Sequence, residues 1–140
     1  MFDLNCQAFN HSLQQALVNT IEQSITNVER VNSNIHQEAV NNAPVDIGTM
    51  RENSGYSVHF EGNKIISYVG FMEFYSVYVH QGTGIFALEG NGRQTPWWWK
   101  GDTEKWEGWH FTHGQKPKQF LWNAYLNALP VINSELAEGL

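Results

Sequence analysis

The chain has 140 residues, which is long enough for one domain that buries a core without disulfides or metal ions. Apolar residues make up 41% of it and charged residues 16%, which excludes a disordered chain and a coiled coil. The net charge of -6 argues against a protein that grips nucleic acid phosphates. The single cysteine, Cys6, excludes an internal disulfide and a multi-thiolate zinc site. The N-terminus lacks a signal-peptide pattern, so we expect a protein made in the cytoplasm.

The first predicted element is a helix over about residues 9–42. Apolar residues recur there at steps of three and four, from Leu13 to Ala39, which is the spacing of one helix face. A helix of this length spans on the order of 45 Å, more than one small core covers, so part of it is expected to pack elsewhere. Its other face is rich in Asn and Gln rather than charges, which fits either a solvated surface or a protein contact. Pro44 predicts an end near residues 41–43.

The next segments predict an antiparallel meander. Beyond Ser54 apolar and polar residues alternate, and Gly62-Asn63 reads as a two-residue hairpin turn before a second strand at 64–71. Alternation from about Phe74 to His80 predicts a third strand.

The rest of the chain predicts a long loop, a strand and a helix. Residues 81–105 lack any period and collect Gly and Pro, and we assign 84–105 as a long loop. A fourth strand is predicted at 106–112 and a closing helix at about 118–136, with Pro130 expected to kink or divide it. The expected fold is a single α+β domain over residues 1–140: a four-stranded antiparallel sheet packed against a long N-terminal helix and a C-terminal helix.

Five tryptophans lie within thirteen residues: Trp97, Trp98, Trp99, Trp106 and Trp109. Neighbours in an extended segment face opposite sides, so at least one of the three adjacent tryptophans should cover the sheet while another stays near the surface. This cluster fits a flap that seals the core, a surface for a partner, or a platform that stacks on sugar rings.

No residue pattern predicts catalysis. The histidines lack the spacing of a metal site, the carboxylates near the tryptophans are not visibly paired, and Cys6 has no placed histidine base. We therefore predict no catalytic residue, metal or cofactor. The residue types that such sites would need are present at His80, His110 and His113 for a metal, and at Asp46, Asp102, Glu104 and Glu107 for acid/base work.

Three stretches occur in a fixed order along the chain. They are Ala43–Arg51 followed by Ser54, Tyr75–Gly84, and Gly114–Pro117 followed by Phe120-Leu121 and Ala124. Together they resemble the tail-completion family of tailed bacteriophages, also called head-tail joining or neck proteins. The chain departs from the family pattern at three positions. It has Ile47 where the family usually has Thr, Met50 where it has Leu, and His80 where Glu is common. These departures concern packing and partner choice.

The motif residues also have structural interpretations. Gly48 can turn the chain, Arg51 can hold a nearby carboxylate or carbonyl, and Gly82 and Gly84 can let the chain leave its strand sharply. The predicted motif and scaffold residues are Asp46, Gly48, Arg51, Gly82, Thr83 and Gly84.

The resemblance implies a non-enzymatic virion protein of a phage or prophage, located in the tail or neck. Such proteins form a ring, usually a hexamer, between the tail tube and the head-completion proteins, and the free chain can be monomeric. DNA would pass through without specific binding, which a like-charged lumen would favour, and no membrane is involved. The helix overhang and the long loop would make the contacts. The predicted partner-binding residues are Trp97, Trp98, Trp99, Lys100 and Trp106.

Two other classes of function remain open at this point. A carbohydrate-binding module would use Trp97, Trp98, Trp99 and Trp109 as a stacking platform. An enzyme would need a metal site built from the histidines.

Overall fold

The computed structural model describes residues 2–44 and 49–140, and the side chains of 6–44 and 49–140. The elements in chain order are α1 (Phe2–Asn42), α2 (Thr49–Glu52), β1 (Ser54–Glu61), β2 (Lys64–Phe71), α3 (Ser76–Gln81), a 3-10 turn (Gly84–Phe86), β3 (Trp97–Gly101), a second 3-10 turn (Glu104–Trp106), β4 (Gly108–Thr112) and α4 (Phe120–Leu136). Helices account for 53% and strands for 20%, which confirms the α+β class with long N-terminal and C-terminal helices.

Helix α1 is about 60 Å long, longer than predicted, because it begins at Phe2 rather than near residue 9. Its two halves have different surroundings. Residues 6–20 are exposed, whereas Val31, Ile35 and Ala39 in the second half are buried at the spacing of one face. The expectation that one core would not cover the whole helix is therefore confirmed.

The core lies where the second half of α1 meets α4 and the β1–β2 sheet. Its buried side chains include Val31, Phe120 and Ala124, with Val69 and Phe71 of β2 packed against them. Asn27 is fully buried and fixes the far end of this contact. Its Nδ2 donates to the carbonyls of Leu136 (2.9 Å) and Glu138 (2.8 Å), so the last residue of α4 and the turn that follows it are held against α1.

Arg51 fixes the C-terminal end of α1. Its Nε donates to the Ala43 carbonyl at 3.1 Å, and its terminal nitrogen donates to the carbonyls of Ala43 and Asn41. A cation there complements the partial negative charge at the helix end and pairs carbonyls that have no partner inside the helix. The prediction that Arg51 holds a nearby carbonyl is therefore confirmed. The predictions for Asp46 and Gly48 fall outside the described residues.

The first hairpin agrees with the sequence prediction. Strands β1 and β2 pair antiparallel from Ser54↔Phe71 to Glu61↔Lys64, and Gly62 takes the positive φ of 61° in the turn.

The predicted third strand at Phe74–His80 is wrong, because this segment forms helix α3. The Ser76 hydroxyl donates to the Glu73 carbonyl at 2.7 Å, which favours a turn at the point where a strand would start. Tyr75 and Val79 both pack against the core at a spacing of four, while Val77 is exposed. The run is too short for alternation to distinguish a strand from a helix.

The predicted loop at 84–105 is also only partly correct. Residues 97–101 form β3, which pairs antiparallel with β4 from Trp97↔Thr112 to Gly101↔Gly108. The four strands therefore form two separate two-stranded sheets, β1–β2 and β3–β4, rather than one four-stranded sheet. At the end of the chain, Pro130 lies inside one continuous helix, α4, and does not divide it.

The turn at residues 82–84 follows α3 and is hydrogen-bonded to the segment that precedes α4. Thr83 donates its N–H to the Gln115 carbonyl, and its hydroxyl accepts the Gln115 N–H, both at 2.9 Å. Gly82 and Gly84 have φ of 81° and 61°. A Cβ on Gly84 would lie 1.9 Å from the His113 carbonyl oxygen. Glycine is therefore required at position 84 both for its backbone conformation and for space.

The substitution Gly84→Ala tests this contact. We expect it to lower the free energy of unfolding by about 2–4 kcal/mol, because strain at positive φ adds to a clash with backbone. Gly90→Ala is the matched control, since Gly90 also has positive φ (68°) but has open space at its Cβ, and it should cost about 1 kcal/mol. Equal losses in urea denaturation would show that the close approach at Gly84 is unimportant.

Candidate interaction surfaces

The first candidate surface is the exposed part of α1, residues 6–20, which we call the overhang. Phe9, Leu13 and Leu17 follow one another at steps of four and are 66%, 58% and 61% exposed. They form an apolar stripe on one side of the helix. Residues 6–20 contain no Asp, Glu, Lys or Arg. An apolar stripe without charges is typical of a surface that another molecule covers.

The second candidate surface is a cavity of about 580 Å³ between α1, β2 and α4, which we call the groove. Its size is typical of ligand-binding cavities. None of the described residues that line it carries a carboxylate, an ammonium or a guanidinium group. They are Val28, Val31, Asn32, Ile35, Ile65, Ser67, Val69, His80, Leu121, Trp122, Tyr125, Ile132 and Leu136.

Asn32 is the unusual polar residue of the groove. It is only 6% exposed, and its Oδ1 accepts a long hydrogen bond of 3.4 Å from the Ser67 hydroxyl. Its Nδ2 is buried and has no hydrogen-bond partner within the described chain. A buried amide donor without an acceptor costs roughly 1–3 kcal/mol, so this group favours an occupant that supplies an oxygen.

His80 lines the same groove in a neutral state. Burial lowers its pKa from the ordinary value of 6.5. Its Nε2 accepts a hydrogen bond from the backbone N–H of Trp122 at 3.1 Å, which a protonated ring nitrogen could not do, and its ring packs edge-on against Phe120 at 5.2 Å. The groove is therefore without formal charge near pH 7.

The third candidate surface is the outer side of the β3–β4 hairpin, which we call the aromatic face. It carries Trp98, Lys100, Trp109 and Phe111, all exposed. Trp98 and Phe111 are cross-strand partners whose ring centroids lie 5.3 Å apart. Trp98 is 63% exposed and Trp109 66%, so both present flat aromatic area to solvent.

The other side of the hairpin is half-buried and internally packed. Trp97 and Trp99 point there, and Trp99 stacks on His110 with centroids 4.6 Å apart and lies 6.1 Å from Trp106. The expected alternation of the three tryptophans is therefore confirmed. Of the predicted partner-binding residues, Trp98 and Lys100 share the exposed face, Trp97 and Trp99 do not, and Trp106 lies beside Trp99 at 43% exposure.

Neither Phe111 nor the groove is among the sites predicted from the sequence. Phe111 was detectable, because it lies two residues after Trp109 in a predicted strand and so shares its face. The groove was not detectable from the sequence, because its residues come from separate elements. Asn32 also looks like any helical Asn until the folded chain buries its Nδ2 without an acceptor.

The histidine and carboxylate candidates do not converge. His80 lies in the groove, His110 stacks beneath the hairpin, and His113 packs against Phe111 at 5.4 Å. Across residues 2–44 and 49–140, no three His, Cys, Asp or Glu side chains are close enough together to hold a metal ion. Asp46 lies outside the described residues. Asp102, Glu104, Glu107 and Cys6 are exposed.

Comparisons of the chain with protein family models, curated proteins and solved structures give no match. The resemblance to tail-completion proteins therefore depends on the order of the sequence motifs. Of the helices in the described part of the chain, none has the length and apolarity needed to span a membrane.

The state of His80 predicts a pH dependence of stability. The pKa of His80 is lower in the folded chain than in the unfolded chain, so the unfolded chain binds the proton first as the pH falls. The free energy of unfolding should therefore fall as the pH drops through and below 6.5. In His80→Gln this contribution is absent, and the loss measured by urea denaturation at pH 7.5 and 5.5 should be smaller. Equal losses in the two proteins would contradict the buried, neutral state of His80.

Proposed function

We propose that the chain is a non-enzymatic structural subunit of a tailed-phage virion that completes the tail where it joins the head. The motif order supports this function, and so does the overhang. An overhang with three exposed apolar residues along one side and no Asp, Glu, Lys or Arg is suited to bind a neighbouring subunit. The overhang is the observation that carries the proposal.

The surface area of the chain supports an assembled rather than an isolated subunit. The structure exposes 10193 Å². A compact monomer of 16.0 kDa exposes about 7,400 Å². The excess of about 2,800 Å² is more than three times the roughly 800 Å² that each partner buries in a standard protein interface. The chain therefore has enough uncovered surface for contacts on more than one side, as a ring requires.

Immunogold electron microscopy tests the proposed position. Particles induced from the source cells would be labelled with antibody against this chain, and we expect gold at the head–tail junction. Labelling of no particle would refute the virion function.

The same particles can test the overhang. Leu13→Glu/Leu17→Glu places charges on the apolar stripe and should leave heads and tails unjoined. His11→Glu/Gln15→Glu places the same charges on the opposite side of the helix and should leave joining intact. Equal effects of the two variants would contradict a specific contact through the stripe.

Carbohydrate binding at the aromatic face is a second candidate function. The flat exposed rings of Trp98 and Trp109 favour it, because sugar rings stack on such surfaces. A glycan array should then show binding that is lost in Trp98→Ala and Trp109→Ala but kept in Tyr68→Ala, which removes an exposed ring on β2. Absence of binding in the unmodified protein would exclude this function.

A further inference from the structure

We propose that copies of this chain bind head to tail, with the overhang of one copy inserted into the groove of the next. Phe9, Leu13 and Leu17 would enter the groove and bring an oxygen acceptor to the unpaired Nδ2 of Asn32. The inference names the partner of the overhang, and so it depends on the part of the proposed function that makes the overhang a contact between copies. It does not depend on the position of the protein in a virion.

The two surfaces match in chemistry. The stripe and the groove are both apolar, and neither carries a charged group among the residues named above. Two copies with a net charge of -6 each repel one another. Contact through two uncharged surfaces brings no like charges together at the interface, which makes a second copy an acceptable partner.

The two surfaces also match in length. Phe9 to Leu17 spans about 12 Å of helix, and the α1 wall of the groove, from Val28 to Ile35, spans about 10 Å. Residues at steps of four on one helix face are the usual anchors of a helix that docks in an apolar groove. Asn10 and Gln14 border the stripe and carry side-chain carbonyl oxygens that can accept from Asn32.

The geometry of α1 requires that the occupant come from another molecule. The overhang and one wall of the groove belong to the same continuous helix, so the overhang points away from the groove of its own chain. Pairing of two overhangs would cover the stripes but leave the groove open and Asn32 unpaired. Head-to-tail docking covers both surfaces and supplies the missing acceptor.

Sedimentation velocity on two variants tests the direction of the contact. The overhang variant is Leu13→Glu/Leu17→Glu. The groove variant is Trp122→Glu/Tyr125→Glu, in which the replaced side chains are 49% and 38% exposed, so the core is left intact. His11→Glu/Gln15→Glu is the matched control. We expect the unmodified chain and the control to associate with rising concentration beyond the dimer.

Each variant alone should be monomeric, because each lacks one half of the contact. Their mixture should form a 1:1 dimer and nothing larger, since one intact overhang then meets one intact groove. A groove variant that associates like the unmodified chain would show that overhangs pair with each other. A mixture without a dimer, or an unmodified chain that stays monomeric at all concentrations, would also overturn the proposal.

A photo-cross-link provides a second test that does not depend on the folding of the groove variant. p-Benzoylphenylalanine in place of Leu13 should cross-link to residues 121–136 or 28–35 of another, isotope-labelled copy. Cross-links between two overhangs would overturn the proposal.

Asn32→Ala should weaken association by about threefold to tenfold, as expected for loss of one buried hydrogen bond, and an unchanged affinity would refute the role of Asn32.

A failure here is distinguishable from a failure of the proposed function. A monomeric chain with gold at the junction overturns head-to-tail docking alone. Docking in solution with no label on particles overturns the virion position alone.

Discussion

The structure depends on the continuity of helix α1. Its second half forms one wall of the core, where Asn27 fixes the end of α4 and Arg51 holds the last carbonyls of the helix. Its first half continues in the same direction, and residues 6–20 of it are exposed. Because a helix without a break cannot fold back on itself, the same element that organises the core also keeps the apolar stripe away from it.

The buried core is made partly of small side chains, and larger apolar side chains lie at its edge. Several buried positions are alanines, such as Ala39 and Ala124, which let α1 and α4 approach closely but bury little apolar area themselves. Larger side chains, including Ile132 and Leu136, lie at the margin of this core and line the groove. Covering the groove would extend the core rather than create a separate interface, so folding stability and association are expected to be coupled.

The sequence predicted the elements with strong local signals. The apolar spacing of α1, the Gly62-Asn63 turn and the closing helix each depend on residues close in the chain. The alternation at 74–80 wrongly predicts a strand, because it covers only a few residues while the Ser76 hydroxyl favours a turn. Strand β3 was not predicted, because the Gly and Pro residues that precede it are typical of a loop, although three adjacent aromatic residues favour an extended chain. The unpaired amide of Asn32 depends on β2 and α4 together, and no local pattern contains that information.

Head-to-tail contact would also determine the symmetry of an assembly. In such a contact each copy is related to the next by one rotation and translation, and the assembly closes into a ring only if the translation along the axis vanishes. Here the overhang and the groove wall are parts of one rigid helix, so the relation between successive copies is fixed by the angle at which a docked overhang crosses α1 and α4. A docked overhang would add a third helix to that pair. The number of copies in a ring would then follow from the packing of Phe9, Leu13 and Leu17 against those two helices.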